Sequence, residues 1–161
     1  MYKRQVKRHD VLSADEMKLK VEELIEDCDI FIAAAAVSDF KPKEIYKNKI
    51  KKNETEKHLN LKMDKNSDIL KVISEKNLNL KTVGFAAETE NLLSNAKKKL
   101  SQKKLDLIVA NDVSNKDIGF DSDENEVTLI TKKEQKKIKK ASKKIVSKKI
   151  VEFIASKVVN D

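Results

Sequence analysis

Residues 30–37 read Ile-Phe-Ile-Ala-Ala-Ala-Ala-Val, an apolar run without a break. It is too short to cross a membrane and lacks the alternation of a half-exposed strand, so it predicts a buried strand. Two further runs of the same kind follow, 82–87 (TVGFAA) and 105–110 (LDLIVA). Segments of helical period flank and separate them at 13–28, 67–77 and 89–104. Ser13 and Glu16 have capping-box spacing, and Ser67 is a candidate cap.

Strand and helix therefore alternate, which predicts right-handed βαβ crossovers and a parallel sheet covered by helices. The fold class is α/β, a Rossmann-like, mostly parallel sheet flanked by helices. Ligands of such sheets bind beyond the carboxyl ends of the strands. Polar residues follow the three strands there: Ser38-Asp39-Phe40, Glu88-Thr89 and Asn111-Asp112-Val113-Ser114. Two alternating stretches, 58–63 (HLNLKM) and 126–130 (EVTLI), predict half-exposed strands, and 141–159 predicts a closing amphipathic helix. The strong breakers are Gly84, Gly119 and Pro42, each beside a strand-like run.

At 161 residues, one domain with one core is expected, spanning 1–161. Aromatics make up 4% and Trp is absent, so the core is aliphatic. No apolar stretch resembles a span or a signal peptide, which predicts a soluble, cytoplasmic protein. Cys28 is the single cysteine, which rules out an intramolecular disulfide and predicts a buried small apolar residue. With only His9 and His58, no Cys/His zinc cluster can form. The net charge of +8 raises nucleic acid as a partner, yet of 35 basic residues only Arg4 and Arg8 are arginine, the bidentate reader of bases and phosphates. Lysine spread over solvated positions makes that basicity weak evidence. No glycine-rich turn follows a first strand, and residues 1–5 fit no strand that should precede Val6. The start reads as truncated, and residues 1–5 could be foreign to the native frame.

Five motifs now stand in order: Ala34-Ala35-Ala36-Val37-Ser38-Asp39-Phe40-Lys41-Pro42, Lys49-Ile50-Lys51-Lys52, Gly84-Phe85-Ala86-Ala87-Glu88-Thr89, Lys99-Leu100 with Lys103 and Asp106, and Ala110-Asn111-Asp112-Val113-Ser114. Together they resemble the synthetase domain of phosphopantothenate–cysteine ligases, the bacterial coenzyme A biosynthesis family. The resemblance takes in Val6-Lys7-Arg8 through Glu16-Met17 and runs to Gly119-Phe120 and Asn125. It implies activation of the 4′-phosphopantothenate carboxylate by CTP with Mg²⁺, giving an acyl-cytidylate that cysteine converts to the amide. It implies Lys49 as the catalytic lysine. It also implies a nucleotide site drawn from Ala35, Ala36, Asp39, Lys49, Ser67, Asp68, Ile69, Leu70, Phe85, Lys99 and Lys103.

The family's opening strand-helix-strand segment and its catalytic asparagine would precede Val6. The resemblance therefore implies an incomplete, inactive fragment, a homodimer in the full-length form, no FMN in this domain, and no nucleic-acid or membrane partner. It assigns no residue to a metal. Where the family has Asn-Pro-Asp-Ile, this chain has Asn66-Ser67-Asp68-Ile69, losing a fixed φ at the helix start.

Plainer readings stand beside these. Lys99 and Lys103, spaced i,i+4, share a helix face whether or not a phosphate lies there. Asp39 reads as a helix or turn cap, or as the partner of ribose hydroxyls or a metal-bound water, Phe85 as core or nucleotide wall, and Asn111-Asp112 as a turn. Ala34 to Ala36 read as packed core or as small residues that let a ligand approach the backbone. A polar, lysine-rich loop is expected over 48–57, closing on substrate phosphates. The competing function is a non-catalytic nucleotide- or RNA-binding α/β module.

Overall fold

The computed structural model describes residues 6–44, 48–50, 59–76, 79–113 and 122–159. They fall into two compact units, one comprising Met1–Glu23 and Ala36–Asp68, the other Leu24–Ala35 and Ile69–Asp161. The second is the sheet unit. It contains β1 (Ile30–Ala33), α2 (Ile69–Ser74), β4 (Lys81–Glu88), α3 (Leu92–Gln102), β5 (Leu107–Asp112), β6 (Glu124–Ile130), β7 (Gln135–Ser142) and α4 (Lys143–Phe153), the last continuing as a π-helical turn, Ile154–Val158. The first carries nearly all of α1 (Ala14–Leu24) and a ribbon of β2 (Phe40–Pro42) and β3 (Met63–Lys65).

The sheet order is β1-β4-β5-β6-β7, with β1, β4 and β5 parallel and β6 and β7 antiparallel. The expected α/β class, a mostly parallel sheet flanked by helices, is observed. Alternation along the strands divides the core between the two faces. Leu107 and Val109 of β5 join Val83, Val127, Leu129 and Ile138 under Val146, Ile150 and Phe153 of α4. Ile108 and Ala110 point the other way, with Ala86, Ile130, and Ala96 and Leu100 of α3.

Local chemistry explains where elements begin and end. In α3, the Leu105 amide donates to Leu100 O and the Lys104 amide to Ser101 O, while Lys104 has φ 51°. This is a left-handed helix stop, and Leu105 is the buried apolar residue that packs back on Leu100. The strand expected at 105–110 consequently starts at Leu107 and runs on through Asn111 and Asp112, which are strand residues rather than a turn. Asp106 bridges to β4: its carboxylate accepts from the Thr82 amide at 2.7 Å and the Thr82 hydroxyl at 3.1 Å. Gly84 lies inside β4, where a Cβ would meet Leu70 Cδ2 at 2.8 Å and Leu105 Cδ1 at 2.9 Å. Close packing accounts for this glycine, with no turn involved.

Several expectations are corrected. The strand at 30–37 ends at Ala33, and as a sheet edge β1 is only half-buried, with Ala34, Ala35 and Ala36 exposed rather than packed. The strand expected at 58–63 is instead the short β3, while residues 59–62 are not strand and His58 lies outside the described residues. β6 is buried from Val127 to Ile130 because it sits between β5 and β7 with both faces covered. β7 was unforeseen and takes residues 141 and 142 from the expected closing helix, which starts at Lys143 behind a Ser142 N-cap. Cys28 is exposed, just past a 3₁₀ turn, its thiol donating to Leu24 O at 3.2 Å.

Candidate nucleotide-binding site

In the sheet unit, the carboxyl ends of the parallel strands bring two of the three expected polar clusters together. Glu88 and Asp112 are register partners at the ends of β4 and β5, both on the α3 face. The Glu88 side chain is only 14% exposed and accepts from Lys99 Nζ at 2.5 Å and from Asn95 Nδ2 at 3.2 Å. Asn95 and Lys99 stand one turn apart on α3, so one helix face supplies both donors. Lys103 lies a further turn along, at the C-cap, its amide donating to Lys99 O. Asn111 points to the opposite face, and its Oδ1 is buried without a partner among the described residues.

Phe85 is 42% exposed on the α4 face beside exposed Ala87 and Ile32, which makes it an open wall rather than sealed core. Ile69 is buried and Leu70 packs over Gly84, so both side chains belong to the core. Ala35 is exposed at the end of this unit's first segment.

The other unit holds Ala36, Asp39, Lys49, Ser67 and Asp68. All five are exposed. Asp39 precedes β2, and its carbonyl accepts from the Asn66 amide at 2.8 Å. Ser38 Oγ donates to Phe40 O at 2.8 Å, closing a tight turn. The Asn66 side chain donates to Ser38 O at 2.8 Å. α2 begins at Ile69, so Asp68 rather than Ser67 occupies the cap position. Lys49 is in irregular chain. Most of the expected loop, 51–57, together with Ser114, Gly119 and Phe120, lies outside the described residues.

Among the described residues no group of three or more His, Cys, Asp or Glu side chains could hold a metal, and no helix is long and apolar enough to cross a membrane. Three structural partners escaped the sequence reading. Glu88 was visible as a polar residue after a strand and as a member of a motif, with no role assigned, and Asn66 only as a neighbour of the missing proline. Asn95 carried no signal at all, being one more polar residue on a helix.

The comparisons with known proteins agree with this architecture. The family model described as the DNA/pantothenate metabolism flavoprotein C-terminal domain matches residues 1–158. The coenzyme A biosynthesis bifunctional protein CoaBC of Vibrio vulnificus (strain CMCP6) is 41% identical over 150 residues, covering 92% of this chain and 37% of the relative. Its namesake in Bacillus subtilis (strain 168) is 43% identical over 147 residues, covering 91% and 36%. The chain thus spans little more than a third of these relatives' length.

The crystal structure of the C-terminal domain of a CoaBC protein superposes with a TM-score of 0.78 at 30% identity, covering 98% of this chain and 69% of that one. A mutant Cab2 protein in complex with phosphopantothenate-cysteine shares the fold at a TM-score of 0.63 and 19% identity, covering 88% and 51%. The chain belongs to the family of the DNA/pantothenate metabolism flavoprotein C-terminal domain.

Proposed function

We propose that this chain serves coenzyme A biosynthesis in the cytoplasm as part of a CTP-dependent ligase joining 4′-phosphopantothenate to cysteine, the full-length form acting as a homodimer. The observation that carries the reading is 41% identity, over 92% of the chain, to a bifunctional coenzyme A biosynthesis protein. A carboxylate oxygen of 4′-phosphopantothenate attacks the α-phosphorus of CTP, the bond to the β-phosphate oxygen breaks, and pyrophosphate leaves. The cysteine amine then attacks the acyl carbon, loses a proton, and displaces CMP.

Both reactants of the first step are anions, so positive charge at the reacting phosphate is the central requirement. Lys49 is assigned that role, with Lys99 and Lys103 on the nucleotide phosphates and Asp39 on the ribose hydroxyls. The exposed Ala35 and Ala36 support an approach of a base to the backbone, and the open face of Phe85 is suited to stacking. Ser67 and Asp68, with the backbone of Ile69 and Leu70, complete the assignment. Lys99 is paired with Glu88, so an incoming phosphate would compete for an ammonium already oriented by a largely buried carboxylate. Mg²⁺ would accompany the triphosphate as counter-ion. The described residues do not by themselves build a metal site.

Lys49→Gln tests the assignment. In a full-length enzyme carrying this sequence, pyrophosphate release from CTP should fall by about 100-fold or more while CTP affinity stays within a few fold. An unchanged rate would remove Lys49 from the chemistry. Affinity for RNA with a steep salt dependence and no preference for CTP over ATP would favour the competing nucleic-acid reading.

A further inference from the structure

We infer that Asn66 is the positioning residue for the nucleotide-facing turn at Ser38-Asp39, a role resting on the CTP reading above. Among the described residues of its unit, Asn66 is the only buried one, at 8% exposure, although it is polar. It binds two successive carbonyls of one turn. Its backbone amide donates to Asp39 O at 2.8 Å, and its side-chain Nδ2 donates to Ser38 O at 2.8 Å.

The first bond extends the ladder of the ribbon, whose pairs begin at Phe40 with Lys65. The second lies beyond what a ladder supplies and requires an amide side chain. Holding the carbonyls of residues 38 and 39 together fixes the peptide planes on either side of the Asp39 Cα, and with them the direction of its Cα–Cβ bond. From the other side, Ser38 Oγ bonds Phe40 O.

The Oδ1 of Asn66 is buried and has no hydrogen-bond partner among the described residues. A residue selected for stability alone would not leave a buried acceptor unsatisfied, since that cost offsets much of what the Nδ2 bond contributes. The side chain is therefore better explained by the geometry it imposes. It also sits directly before Ser67 and Asp68, so one residue joins two stretches assigned to the nucleotide.

The test uses Asn66→Asp, which keeps shape but loses the donor at neutral pH, and Asn66→Ala. Two quantities are measured well below each variant's melting midpoint: hydrogen exchange of the residue-66 amide, corrected for intrinsic rate, and magnesium-CTP affinity by calorimetry. Both variants should exchange faster and bind CTP more weakly, each by about tenfold, the worth of one hydrogen bond. Asn66→Gln, which retains the donor, should recover part of the CTP affinity.

Unchanged exchange overturns the inference. So does faster exchange with CTP affinity within twofold of the wild type, because the side chain would then be merely structural. If the wild-type chain binds no CTP while exchange still rises in the variants, the nucleotide reading fails and the clamp on the turn stands.

Discussion

The two units are held by different forces. The sheet unit buries a dense aliphatic core, with Val83, Leu107, Val109 and Leu129 fully inaccessible. In the other unit the one buried residue among those described is an asparagine, and the visible constraints are polar. They include the Ser13 cap on α1, the Glu16 side chain reaching back to the Leu12 amide, the Lys41–Asp15 ion pair and the Asn66 bonds. Dispersion and burial respond to cavities and hardly at all to pH or salt, whereas short polar networks respond to every lost donor and to screening. One region can therefore act as the rigid platform, while the other presents side chains on geometry that single hydrogen bonds decide.

The sharpest way to break this contrast is to open the core. Leu107 is fully buried at the start of β5 under α4, so Leu107→Ala should cost about 2–5 kcal/mol, read as a lowered urea midpoint. Leu59→Ala, at an exposed apolar side chain of the other unit, should shift the midpoint by less than about 0.5 kcal/mol. Equal effects would mean that the exposed apolar residues there carry packing energy after all.

The same division explains what could be read from the sequence. The apolar runs disclosed β4 and β5 nearly in full because burial on both faces, over 107–110 of β5 and 82–84 of β4, leaves an unbroken apolar signature. β7 escaped because it is an edge strand in which Lys136, Lys137, Lys139 and Lys140 are exposed and Ile138 is the one buried residue. Lysine guards an edge well and is a poor strand signal. Ala34 to Ala36 looked like core because composition does not tell an apolar residue on an exposed segment from one inside. At the candidate site, the motif residues were legible through family resemblance, but their partners were not. Asn66 acts on Ser38, 28 residues away, and Asn95 reaches back seven residues from a helix to the strand-end Glu88, and neither contact is encoded in a local spacing.

A smaller effect is expected at the cap of α1. The Glu16 amide donates to Ser13 Oγ at 3.1 Å, and the Met17 amide to Ser13 O at 2.9 Å. Ser13→Ala removes the side-chain acceptor and should destabilise the helix start by about 1 kcal/mol, visible as faster amide exchange in the first turn of α1. Exchange in β4 and β5 should not change. Should the sheet loosen as well, the helix start and the sheet would be one cooperative unit, and the contrast would have to be redrawn.

The smallest effect concerns Glu23, on the same helix. The hydrogen bond from Lys20, at 2.5 Å, and the charge of Lys20 hold the Glu23 carboxyl below the usual carboxylate range, with lesser help from the charges of His9 and Lys7. A depressed pKa means that folding favours the ionised form. The associated stability is present above the ordinary carboxylate pKa and is lost as the pH falls through the lowered value. The pair is solvent-exposed, so the change in unfolding midpoint should be too small to detect, and added salt should weaken the shift. Titration of the Glu23 carboxyl by NMR isolates it. Lys20→Gln should move the midpoint up toward the ordinary range and leave the Leu107→Ala deficit unchanged, since a surface ion pair and a core cavity share no partner. If Glu23 titrated identically with and without Lys20, the shift would have another source, and the polar constraints on this unit would reach beyond the pairs seen on α1.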